Sequence, residues 1–81
     1  MDKIFTLTRD NIIAEQVDVD EKSLGQSLTF SRGTVLTIIR PAHRWGNVKG
    51  LDYCTVQIGG KYFNIPAPVL TSSIMPMRKR S

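Results

Sequence analysis

Leu51-Asp52-Tyr53-Cys54-Thr55-Val56-Gln57-Ile58-Gly59-Gly60-Lys61-Tyr62-Phe63-Asn64-Ile65 reads as two β-strands folded back on one another. Valine, isoleucine, threonine and aromatic residues crowd both arms, and their branched or flat side chains suit a pleated, half-buried surface. Gly59-Gly60 is a two-residue connection of the primed type, in which both positions take positive φ and a residue without Cβ does so freely. Alternation with period two sets Cys54, Val56 and Ile58 on the expected core side and Tyr53, Thr55 and Gln57 on the other. Pro66-Ala67-Pro68 cannot extend the second arm and predicts a short 3₁₀ turn before Val69-Leu70.

The same signature recurs upstream. Leu28, Phe30, Val35, Leu36, Ile38 and Ile39 are interrupted only by Ser31-Arg32-Gly33, which predicts two strands joined by a tight turn. Residues 3–7 and 16–20 alternate apolar with polar, placing Val17 and Val19 on one side, while residues 9–15 could form a helical turn or extend a strand. The expected core is Phe30, Val35, Ile38, Val56 and Ile58. Five or six short antiparallel strands with almost no helix define an all-β chain, a small barrel or half-open sandwich.

At 81 residues, 41% apolar and 22% charged, the chain can build one small core and no second one. Residues 1–70 are expected to form the domain, with 1–15 an N-terminal extension of undecided structure and 71–81 a flexible basic tail. Apolar runs are too short for a helix that crosses a membrane. Met1-Asp2-Lys3-Ile4-Phe5 lacks the apolar stretch of a secretory signal, so a cytoplasmic protein with a reduced thiol is expected. Cys54 is the only cysteine and His43 the only histidine, which excludes an internal disulfide and a multi-cysteine zinc site. A thiol–imidazole dyad of the two has no third residue to orient it. Asp18, Asp20 and Glu21 lack the spacing of a calcium loop and read as a solvated turn. No catalytic residue, metal or cofactor is expected, and no enzymatic activity.

Charge is distributed unevenly. Up to Ser27 three bases face six acids, a net of −3, whereas from Leu28 onward eight bases face Asp52 alone, a net of +7. Such a split either pairs within the fold or leaves a cationic face for an anionic partner.

Leu28-Thr29-Phe30-Ser31-Arg32-Gly33-Thr34-Val35-Leu36 resembles the SH3-domain segment that reads Leu-Ser-Phe, two polar residues, Gly-Asp and an apolar strand. Tyr53-Cys54-Thr55-Val56-Gln57-Ile58-Gly59-Gly60 resembles the SH3 strand of two tryptophans that ends in an Asn-Gly turn, and Ile65-Pro66-Ala67-Pro68-Val69-Leu70 is similar to the ending Phe-Pro-Ser-Asn-Tyr-Val. The resemblance covers residues 16–70 and implies an SH3-like barrel. Gly33-Thr34-Val35 with Gly46 and Gly50 is, more weakly, similar to KOW and Tudor-type barrels. Of the family's proline-reading aromatics only Tyr53 and Pro66 have counterparts, since residues 16–20 carry no tyrosine and Pro68-Val69 replaces Asn-Tyr. A conventional polyproline groove is therefore not expected.

Arg40-Pro41-Ala42-His43-Arg44-Trp45-Gly46-Asn47-Val48-Lys49 reads as a loop that gathers three fixed cations with the only tryptophan and histidine. Arginine beside tryptophan suits a protein interface, where both act as anchors, and equally a nucleic acid, whose phosphates the cations neutralise while the aromatic stacks on a base. A structural alternative folds Trp45 back as a lid and pairs the arginines with the acidic N-terminal third. The candidate binding residues are Arg40, His43, Arg44, Trp45, Lys49, Tyr53, Lys61, Arg78, Lys79 and Arg80. The expectation is a protein-binding module or regulator, of the size of small phage or bacterial regulators, that docks a partner protein through the Trp45-centred loop. A nucleic-acid-binding module using residues 40–49 and the basic tail is the alternative, an open strand edge would permit a homodimer, and no membrane partner is expected.

Overall fold

In a computed structural model the described residues, 4–45 and 50–76, form seven strands and one short helix. In chain order these are β1 (Ile4–Leu7), β2 (Ile12–Val17), β3 (Ser23–Phe30), β4 (Val35–Arg44), β5 (Asp52–Ile58), β6 (Lys61–Pro66), α1 (Ala67–Thr71) and β7 (Ile74–Pro76). All pair antiparallel in one sheet of order β3-β2-β6-β5-β4-β1-β7. The chain is all-β as expected. It has seven strands where five or six were read, and its end strands do not pair, so the sheet is not closed.

The β5–β6 hairpin matches its sequence signature. Ile58 faces Lys61 across Gly59 (φ 59°) and Gly60 (φ 82°), the left-handed pair that a primed turn requires. The next segment is helical as Ala67–Thr71, with Pro68 in the first turn, where a missing N–H costs nothing. Behind the sheet Leu7, Ile12, Ala14, Leu36, Cys54, Val56, Phe63, Ile65, Ala67 and Leu70 form the core, and Phe30 stands edge-on to Phe63 with ring centroids 5.0 Å apart. Val56 is fully buried, while Phe30, Ile38 and Ile58 pack against the cluster from its rim.

Several expectations need correction. Val35 is 46% exposed and Leu36 takes the core position, because β1 pairs Phe5 with Leu36 and Thr6 with Val35. Strand β2 ends at Val17, so residues 18–20 belong to a turn, and Val19 is exposed. Residues 12–15, undecided in the sequence, are strand. The expected loop at 40–49 is strand as far as Arg44: β4 absorbs Pro41 at a register shift between Arg40 and His43, where no ladder donor is needed. Part of the expected tail is sheet, since β7 lies along β1 with Met75 facing Thr6. Thr55, assigned to the outer face, is buried there beneath Glu21 and Asn64.

Candidate functional site

The outer face of β4, β5 and β6 is covered by the turn between β2 and β3. That turn is built locally: the Asp18 carboxylate accepts the backbone N–H groups of Asp20 (2.8 Å) and Lys22 (2.9 Å), a self-capping arrangement typical of aspartate. Its next residue, Glu21, adopts φ 64°, a left-handed conformation that a residue with a Cβ rarely takes. The result is that Glu21 points inward over the sheet.

Four side chains from three strands meet its carboxylate. His43 Nε2 on β4 lies 2.5 Å from Oε1, Asn64 Nδ2 on β6 donates to the same oxygen at 3.1 Å, and Arg40 Nη1 lies 3.5 Å from Oε2. Thr55 Oγ1 on β5 is 2.7 Å from Asn64 Oδ1 and 3.1 Å from Glu21 Oε1, its single proton shared between them. The turn's backbone is held too, since Trp45 Nε1 donates to the Glu21 carbonyl at 2.8 Å and Arg40 Nη2 to the Val19 carbonyl at 3.1 Å. Among the described residues no buried side-chain polar atom lacks a partner.

Electrostatics follow from this packing. Burial pushes the Glu21 carboxyl up, but the hydrogen bonds from His43, Asn64 and Thr55 and the charge of His43 outweigh it and hold the group below the ordinary carboxylate range. The Pro41 carbonyl facing Nδ1 pulls His43 above the ordinary imidazole range; Glu21 adds to the rise, and burial and Arg40 oppose it. Burial, then the charge of Asp52, pushes the Cys54 thiol up, leaving it a protonated core side chain on the face opposite His43.

Beside this cluster lies a surface groove of about 340 Å³. The β2–β3 hairpin supplies one wall through Ile13, Glu15 and Ser27, with Asn11 at the end; Tyr53, Asn64, Pro66 and Val69 supply the other. Ile13 is 62% exposed and Val69 40%, so apolar surface is open to solvent on both sides. Tyr53 joins groove to cluster: it faces His43 on β4 and Pro66 on β6, and its ring meets Trp45 edge-on at 5.0 Å.

The sequence-derived residues divide accordingly. Arg40, His43, Trp45 and Tyr53 come together, with Arg40 and His43 turned to Glu21. Arg44 is exposed in register with Asp52. Lys61 stands at the hairpin turn, five residues along β5 from Tyr53's level, about 16 Å away, and does not join the others. Lys49, Arg78, Lys79 and Arg80 lie outside the described residues. Glu21 and Asn64 were missed as site residues. Glu21 belongs to a turn that the sequence presents as solvated, and nothing near it marks it as inward; Asn64 is legible as a lone amide inside an apolar strand.

Among the described residues no three histidine, cysteine or acidic side chains group as a metal site, and no helix is long and apolar enough to cross a membrane. Compared with known proteins, the chain matches no family model, no curated protein and no solved structure.

Proposed function

We propose that this chain is a small SH3-like, non-enzymatic module that receives an extended segment of a partner protein in the groove beside Tyr53 and Trp45. The carrying observation is the groove itself, flanked by exposed Ile13 and Val69, lined on one wall by Tyr53 and Pro66, and provided with polar groups at Asn11 and Glu15. Apolar walls with a few convergent polar groups fit a peptide that needs both side-chain pockets and backbone partners. The SH3-like reading draws support from the order of elements: a β4-β5-β6 meander, a short helix, then a last strand returning to β1, with β2 and β3 as an excursion between β1 and β4.

The docking surface in this reading is the groove rather than the basic segment. Arg40 is engaged with Glu21, Arg44 sits opposite Asp52 and Lys61 is remote, so these three cations do not converge on one phosphate track. Trp45, tied to the Glu21 carbonyl, acts as a lid that backs Tyr53.

Selection of peptides from a random displayed library on the immobilised protein tests this. Enriched peptides should lose about tenfold or more in affinity with Ile13→Asp, a change on an exposed side chain that spares the core, and less than about twofold with Lys61→Ala. A labelled mixed-sequence oligonucleotide serves as the competing probe at about 50 and 200 mM salt. Oligonucleotide binding that falls steeply with salt and ignores Ile13→Asp would overturn the peptide reading in favour of nucleic acid, and failure to enrich any peptide would also overturn it.

A further inference from the structure

His43 is placed where only its charged form fits. Its Nδ1 lies 2.7 Å from the Pro41 carbonyl oxygen and its Nε2 2.5 Å from a Glu21 carboxylate oxygen. Both oxygens are acceptors, so both ring nitrogens must donate, and only the imidazolium carries two N–H groups. Loss of either proton turns a ring lone pair towards an oxygen lone pair at hydrogen-bond distance. The charged and titratable groups around it are few. Glu21 faces it from the β2–β3 turn and Arg40 from its own strand; Tyr53 stands opposite on β5, with Arg44 and Asp52 the next pair along the ladder. Thr55 and Asn64, the neighbours from β5 and β6, carry no charge, and Asp18 is occupied with the amides of its own turn.

We propose that His43 is a protonation latch that holds the residue 18–22 turn over β4 and thereby sets the shape of the groove. The connection is material, because two groove residues are also latch residues: Asn64 donates to Glu21, and Tyr53 packs against Trp45, whose indole is tied to the Glu21 carbonyl. With His43 charged, Glu21 is held down and both residues are fixed. With His43 neutral, one of its two bonds becomes a lone-pair contact and Glu21 loses the opposite charge beside it, so the residue 18–22 turn slackens over β4 and Asn64 and Tyr53 lose the contacts that fix them, while the β2–β6 ladder keeps the hairpin wall in place. The groove thus holds its working shape while His43 is charged and slackens once it is neutral. The effect on ligand uptake rests on the peptide-groove reading above, whereas the latch itself does not.

The test is a series of ¹H–¹⁵N spectra of the free protein across neutral pH. The Trp45 indole N–H and the Asn64 side-chain amide should move together with one inflection above the ordinary imidazole value of about 6.5. In His43→Gln that inflection should vanish, and in Glu21→Gln, which keeps an oxygen acceptor without the charge, it should drop towards the ordinary value. Signals that do not titrate, or that titrate unchanged in His43→Gln, overturn the latch. A peptide selected as above should bind the wild type more weakly as pH rises through the same inflection and bind His43→Gln without that dependence; an affinity flat through the inflection overturns the regulation. Ile13→Asp separates the two ideas, since it should weaken peptide binding about tenfold or more and leave the Trp45 titration intact.

Discussion

At position 21 backbone and side chain make opposing demands. Its left-handed φ costs a residue with a Cβ roughly 1–2 kcal/mol, which glycine would avoid, yet glycine has no carboxylate to offer His43, Asn64 and Arg40. Aspartate and asparagine tolerate the backbone but are one methylene shorter. Hydrogen bonds to a charged, half-buried group set the scale of what is lost: Glu21→Gln should lower stability by about 1–3 kcal/mol near pH 6 in urea denaturation. The pH dependence has a definite sign. His43 is raised in the folded state, so its contribution is complete below the ordinary imidazole value and disappears as pH climbs through the raised one. Glu21 is lowered, so its contribution is complete above the ordinary carboxylate value and disappears as pH falls through the lowered one. Urea midpoints should therefore decline above the ordinary imidazole range in the wild type and level out there in His43→Gln. Equal slopes there in the two proteins would show that the imidazolium contributes nothing.

Among the elements, the strands legible in sequence are those whose ends carry their own punctuation. Gly59-Gly60 and Pro66 bracket β6, and the hairpin stands where they put it. Strand β4 is different, because its facing depends on β1, a partner the local sequence does not contain. Val35 and Ile38 are three residues apart and cannot share a face of a regular strand; pairing of Phe5 with Leu36 turns Leu36 inward and leaves Val35 out. The difference is measurable. Phe63→Ala should cost about 3–5 kcal/mol, since Phe63 is 2% exposed and backs Phe30, whereas Val35→Ala should stay within about 0.5 kcal/mol. Comparable losses in thermal denaturation of the two variants would show that β4 is turned the other way. Pro41 misled the reading for a related reason: a proline ends a strand when its position must donate, and here it falls at a register shift that asks for no donor.

For the whole molecule, the candidate site was half legible. Trp45, His43, Arg40 and Tyr53 sit within one stretch of chain and were singled out by composition, but the residue that organises them lies 22 positions before His43 and 43 before Asn64. No local pattern reports a contact of that span. The same span bears on the order of folding. Glu21 can reach its partners only after β4, β5 and β6 have assembled and the β2–β3 hairpin has bent over them, and closing such long segments is entropically unfavourable until other contacts offset it. Its bonds should then be absent from the transition state. Stopped-flow measurements near pH 6 should find that Glu21→Gln unfolds about tenfold faster while its folding rate changes by less than about twofold. A slowed folding limb would instead place Glu21 in the nucleus. Acquisition and retention of the fold thus fall to separate parts of the chain: the hairpin meander sets how quickly the protein forms, and one carboxylate in a strained turn sets how long it lasts.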